Sequence, residues 1–163
     1  AEMAAAVESA VRDSLAGGIL AGYPLVSIGV RFVDGTFTVN ESNEAAFYRA
    51  GAVAFQKGLQ EAAPVILEPV MRVEVTVPEE ATGDVIGDLS ARRGEIYGMA
   101  PLPGGLQAVR GQVPLAEMFG YATDLRSATQ GRGAFTMEFD HYAPVPMEVA
   151  TRILGGPPPL YSG

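Results

Sequence analysis

The sequence predicts an α+β chain in two parts, and three observations lead there. Apolar spacing switches repeatedly between helical and period-two patterns along most of the 163 residues. Two prolines, Pro64 and Pro69, interrupt the chain where one such series stops and another begins. Beyond them, strand and helix patterns follow in the order βαββαβ, which places two helices on one face of an antiparallel sheet.

Residues 3 to 16 suit a helix. Met3, Val7, Ala10 or Val11 and Leu15 fall near helical spacing, and Gly17-Gly18 ends the run. PLVSIGVRFVDG then changes to period two, with Val26, Ile28, Val30 and Phe32 on one face and Ser27, Gly29 and Arg31 on the other, so a half-buried strand is expected. Asp34-Gly35 is a hairpin signal, and TFTVNES reads as a second extended piece. Glu44 to Glu61 reads as a helix carrying Phe47, Val53, Ala54 and Phe55, with Ala50 and Gly51 small enough for close packing.

After the prolines the expected elements are a strand at about 70 to 77, a helix at 82 to 92, strands at 94 to 100 and 106 to 113, a helix at 115 to 127 and a strand at 133 to 142. Met71, Val73, Val75 and Val77 form the inner face of the first strand; Phe135, Met137 and Phe139 form that of the last. Leu115, Met118, Phe119, Ala122 and Leu125 make the stripe of the second helix. Pro101, Pro103, Gly104 and Gly105 suit a hairpin between the middle strands. The expected domains are 1–65 and 66–147, followed by a flexible tail at 148–163 with a helical turn or two at Glu148 to Leu154.

Composition narrows the function. A formal charge of −8 argues against bulk neutralisation of nucleic-acid phosphates. Residues 1 to 65 carry 4 basic and 7 acidic groups and residues 66 to 147 carry 6 and 11, so neither part is a basic module. Contact with RNA would have to come from a few placed arginines. No cysteine is present, which excludes disulfides and thiolate metal sites. No apolar run has the length of a membrane span, and the first residues, with Glu2, Glu8, Arg12 and Asp13, do not read as a secretory leader. A soluble, cytoplasmic protein without membrane contact is the expectation.

Catalytic chemistry finds little support. The single histidine, His141, follows Asp140 on a strand, where adjacent side chains point to opposite faces, so a catalytic dyad is disfavoured. Glu79-Glu80 and Asp84 with Asp88 lack the dense alternation of a calcium loop. GGLQAVRG and TQGRGAF lack the lysine and hydroxyl of a phosphate-binding loop. The expectation is a chain without catalytic, cofactor or metal-binding residues.

PLAEMFGYATDLRSATQGRGAFTMEFDHY, together with ILEPVMRVEVTVPEEATGDVIGDLSARRGEIYGM, closely resembles the last domain of bacterial translation elongation factor G. GILAGYPLVSIGVRFVDGTF and AAFYRAGAVAFQKGLQEAAPVILEP resemble the latter part of the preceding domain. The resemblance implies an incomplete ribosomal protein S5 domain 2-like α/β domain followed by a ferredoxin-like βαββαβ sandwich. It also implies the carboxy-terminal part of a ribosomal translocase, whose GTP and magnesium belong to an N-terminal domain outside this chain. The partners it implies are the ribosome, through ribosomal RNA and the tRNA and mRNA at the decoding region, and the N-terminal domains of the parent protein.

On that reading the tip around Asp34, Gly35, Thr36, Phe37, Thr38, Asn40, Ser42 and Asn43 approaches RNA at the small subunit, unless it is simply a solvated turn. Thr38 stands where family members commonly have a histidine associated with the decoding-site contact, which opens the alternative of a divergent paralogue in ribosome recycling or protection. A stand-alone ribosome- or protein-binding module is a further alternative. Arg92, Arg93, Arg126 and Arg132 are candidates for ribosomal RNA phosphates. The competing reading pairs Arg126 with Asp124, Glu117 or a helix carboxyl end and leaves Gly131 and Gly133 to serve the turn.

Overall fold

The computed structural model describes residues 2–38, 42–156 and 158, which divide into two compact units, one drawn from 1–66 and 146–163 and the other from 67–145. The first unit is built on α1 (Glu2–Gly17) and α2 (Glu44–Glu61). Ala6, Ala10 and Val11 of α1 and Gly51 and Leu59 of α2 are buried. A Cβ on Gly51 would stand 3.1 Å from the Val7 side chain, so the missing side chain is what lets the two helices approach. Across the same pair, the Tyr48 hydroxyl donates to Asp13 Oδ2 at 2.7 Å.

Between these helices the structure departs from expectation. Residues 24–38 form no strand ladder. Val26, Ile28, Val30 and Phe32, expected to be half-buried on one face, are all exposed, and so is Phe37. Period-two spacing decides which side chains share a face, but a ladder also needs a partner strand, and none of the described residues supplies one. Ser27 adds a local break with φ of 57°. The hairpin expected at Asp34-Gly35 is accordingly an irregular loop.

The second unit carries β1 (Leu67–Pro78), α3 (Thr82–Ala91), β2 (Glu95–Leu102), β3 (Leu106–Pro114), α4 (Tyr121–Ala128) and β4 (Ala134–Pro144). Its antiparallel sheet has the order β2-β3-β1-β4, the ferredoxin-like plan. Val73, Val75 and Val77 from β1 and Val109 and Val113 from β3 meet Val85 and Leu89 of α3 and Tyr121 and Leu125 of α4. Fully burying each such aliphatic side chain contributes about 1.5–3 kcal/mol, which makes this layer the main source of the unit's stability. β4 lies at the sheet edge, and there only Phe135 packs against the core; Met137 and Phe139, expected on an inner face, are exposed.

The helix expected at 115 to 127 is two pieces. A 3₁₀ turn at Leu115–Glu117 comes first, and α4 starts only at Tyr121. Gly120 sits between them with φ of 78°, which ends the helical path and turns Phe119 out to 79% exposure instead of into the stripe. α5 (Met147–Leu154) realises the helical turns expected at the start of the carboxy-terminal segment, and Ala150 on it is buried.

Candidate nucleic-acid interface

The turn between α4 and β4 is fixed by one buried threonine. Thr129 Oγ1 donates to the Leu125 carbonyl at 2.7 Å and accepts from Gly133 N–H at 2.8 Å. Gln130 and Gly131 both adopt positive φ, and Gly131 N–H donates to the Arg126 carbonyl at 2.8 Å, closing the helix end. A Cβ on Gly133 would lie 2.8 Å from Thr129 Oγ1 and 3.0 Å from Leu125, so the residue that follows Arg132 must be glycine. The outcome is a rigid knuckle that carries Arg126 in the last turn of α4 and Arg132 just beyond it, with Ser127 and Gln130 also exposed.

The two arginines differ in how they are paired. Among the described residues, Arg126 has no carboxylate within ion-pair distance; Asp124, its expected partner, pairs with Arg92 instead. Arg132 donates from Nη1 to Glu80 Oε1 at 2.9 Å and from Nε to the Thr129 carbonyl at 3.3 Å, yet its side chain stays 52% exposed. The Glu80 carboxyl is held below its ordinary range by its own backbone N–H and then by Arg132.

Arg92 and Arg93 point the other way, into the domain. Arg92, only 13% exposed, bridges Asp88 and Asp124, donates to the Glu117 carbonyl at 2.6 Å, and stands 5.1 Å over the Tyr121 ring. Arg93 donates bidentately to Glu68 at 2.7 and 2.9 Å and to Glu117 Oε1 at 2.9 Å. Glu68 is buried, and its hydrogen bonds raise the Arg93 pKa further above the usual guanidinium value. Register explains the meeting. Glu68 lies two residues from Val70, which pairs with Pro114 at the end of β3, while β2 starts beside Gln112; Arg93 sits just before β2 and Glu117 just after β3. These two arginines therefore clamp one end of the sheet, with every guanidinium nitrogen engaged in at least one hydrogen bond inside the domain.

In the first unit the described residues of the expected contact loop make polar hydrogen bonds of their own. Gly35 N–H donates to Asp34 Oδ1 at 2.7 Å, and Thr38 N–H donates to Ser42 Oγ at 2.7 Å. Asn43 caps α2, accepting from Ala46 N–H at 2.8 Å. Ser42 thus accepts from Thr38 and Asn43 caps α2, while Asp34, Thr36, Phe37 and Thr38 face solvent. Asn40 lies outside the described residues. The loop and the knuckle belong to different units.

Two features escaped the sequence reading. Asp140 and His141 do meet, with His141 Nδ1 and Asp140 Oδ2 2.6 Å apart. A bulge explains it: Val70 pairs with His141 while the next residue, Met71, pairs with Phe139, leaving Asp140 as the extra residue and breaking the alternation. Asp140 also accepts from Gln112 and lies 3.8 Å from Arg72, so it belongs to a polar network on the sheet rather than to an isolated dyad. The second feature is Tyr121, which is 1% exposed; the Phe119-Gly120 pair was the available signal that the helix restarts there.

A ferredoxin-like unit with a hydrogen-bonded arginine knuckle and a helical unit bearing a polar loop define an α+β protein of two compact units. Residues 1–63 match the family model of elongation factor G, domain IV, and residues 65–153 match that of the elongation factor G C-terminus. The chain belongs to the elongation factor G family, and its mixed helix and strand architecture matches the boundaries of that family's two domains, an incomplete S5 domain 2-like domain, represented among the described residues by helices without a sheet, followed by a ferredoxin-like one. A solved protein from Thermus thermophilus is similar over 93% of this chain, with 41% identity and a TM-score of 0.80; the match spans 23% of that protein's length. Both matched regions are non-catalytic domains of the family. Among the described residues, no helix is long and apolar enough to cross a membrane.

Proposed function

We propose that this chain is the ribosome-binding carboxy-terminal part of an elongation-factor-G-like translational GTPase, supporting GTP-dependent movement of tRNA and mRNA. The observation that carries the reading is the collinear match of both domains to the carboxy-terminal domains of that family. In this reading the knuckle of Arg126 and Arg132 meets ribosomal RNA phosphates on the large subunit. The exposed groups Asp34, Thr36, Phe37 and Thr38 approach RNA at the decoding region, where Phe37 offers a stacking face. GTP and magnesium act in another domain of the parent protein, which works in the cytoplasm. Thr38, in the position of the family's usual histidine, favours a divergent paralogue in recycling or protection as the second reading.

Ribosome co-sedimentation with a salt challenge tests the proposal. The chain is expected to pellet with ribosomes at low salt, and the double variant Arg126→Glu, Arg132→Glu is expected to stay in the supernatant while remaining folded. Equal pelleting of the two proteins would remove the knuckle from the interface, and no association of either this chain or its longer parent would overturn the translational reading.

A further inference from the structure

Asp34-Gly35 is the one Asp-Gly step in the chain. It lies in the irregular segment 24–38, outside any helix or strand, and both residues are exposed. Gly35 N–H makes no hydrogen bond to another backbone group among the described residues; it donates to Asp34 Oδ1 at 2.7 Å. Because Cγ is one bond from that oxygen, the Gly35 nitrogen is held beside the carboxyl carbon of the preceding side chain. Aspartate side chains commonly fold back on nearby backbone N–H groups in turns, and here no ladder hydrogen bond competes.

Glycine removes the usual obstacle to closer approach. A Cβ shields the amide nitrogen of its own residue, and Gly35 has none. A Cβ there would also stand 3.1 Å from Phe47 Cε1 and 3.2 Å from Phe32 Cζ, so any side chain would press on both rings. The remaining aspartates, Asp13, Asp84, Asp88, Asp124 and Asp140, all precede residues that carry a side chain. They lie within α1, α3, α4 and β4, where regular structure fixes the backbone dihedrals.

We infer that Asp34-Gly35 is a site of spontaneous backbone isomerisation, at which Asp34 becomes isoaspartate by way of a succinimide. The Gly35 nitrogen bonds to Cγ of the carboxylic acid form of Asp34. The Cγ–OH bond breaks, and the hydroxyl leaves as water with the proton of the N–H. Solvent water then adds at the main-chain carbonyl of Asp34, breaks its bond to the Gly35 nitrogen and leaves a free carboxyl on Cα, while the nitrogen regains a proton. One water is lost and one gained, so composition is unchanged and no other reactant is consumed. The main chain now runs through Cβ and Cγ, longer by one methylene, and the carboxyl that accepted from Gly35 has moved to Cα. This chemistry is independent of the ribosomal reading.

The test is peptide mapping of the 163-residue chain after several weeks of folded storage at neutral pH. Trypsin cuts after Arg31 and Arg49 and releases 32–49, which contains Asp34. Electron-transfer fragmentation then separates isoaspartate from aspartate, whose masses are equal. A synthetic peptide of the same residues gives the rate without the fold. Isoaspartate is expected at Asp34 and at no other aspartate, preceded by a species lighter by one water. The rate in the chain should be at least about a third of the rate in the peptide, as for an exposed segment whose local opening costs almost nothing. Asp34→Glu keeps the charge but would have to close the larger glutarimide ring, so the same peptide should stay unmodified. A slower rate in the chain than that bound, equal isomerisation at the other aspartates, or an isomer that persists in Asp34→Glu would overturn the inference.

Discussion

Arg92 and Arg93 lie in the same domain as Arg126 and Arg132, and each pair is adjacent to a glycine that cannot carry a side chain, Gly94 in one case and Gly133 in the other. In sequence they look equivalent. In the fold the first pair is turned inward onto Glu68, Asp88, Glu117 and Asp124, whereas the second projects from a knuckle with Arg126 unpaired among the described residues. An acidic protein supplies many internal partners for a guanidinium, and of these four arginines only Arg126 meets no carboxylate among the described residues, while Arg132 pairs with Glu80 at the surface. Local context, more than net charge, decides which arginines can serve RNA.

The largest effect that would sharpen this contrast is on stability. Arg93→Ala leaves Glu68, only 11% exposed at its side chain, as a buried carboxylate without its bidentate donor. Removing one partner of a pair this enclosed is expected to cost about 3 kcal/mol, read as a shift in the urea midpoint at unchanged slope. A loss below about 0.5 kcal/mol, typical of a surface substitution, would place Arg93 with the outward-facing residues and break the comparison.

A middle-sized effect belongs to Arg126 and appears in binding. Arg126→Ala touches no ion pair among the described residues, so its unfolding midpoint should match the parent chain. Ribosome affinity should fall about tenfold, and the slope of log affinity against log salt should drop by about one. The opposite pattern, lost stability with intact binding, would assign Arg126 to the interior of the domain.

The second domain was legible because its valines alternate over a strand long enough to be unambiguous, and Val73, Val75 and Val77 are indeed its core. Val26, Ile28, Val30 and Phe32 alternate just as well, yet they are exposed, because alternation carries no information about whether a partner strand is present. The arginine assignments were harder. Glu68 precedes Arg93 by twenty-five positions and Asp124 follows Arg92 by thirty-two, and only the tertiary fold brings them together. The contact of Asp140 with His141 depended on a one-residue bulge, and the turn at Gly120 on a single left-handed glycine. Features of that size determine side-chain direction without leaving a periodic trace.

Arg132 occupies the middle of the comparison, since it is exposed but paired with Glu80, and this sets the smallest expected effect. The folded-state Glu80 carboxyl lies below its ordinary value of 4.5, first because of its own backbone N–H and then because of Arg132. A carboxyl lowered by folding contributes stability above its unfolded pKa and loses it as pH falls through the folded one. The parent chain should therefore melt slightly above Glu80→Gln at neutral pH, and the difference should shrink as the pH drops below 4.5. Because both side chains are exposed, the thermal shift should stay small. The same variant releases Arg132, so ribosome affinity should rise modestly in a low-salt titration; an unchanged or reduced affinity would mean that Glu80 positions Arg132 for its partner instead of competing for it.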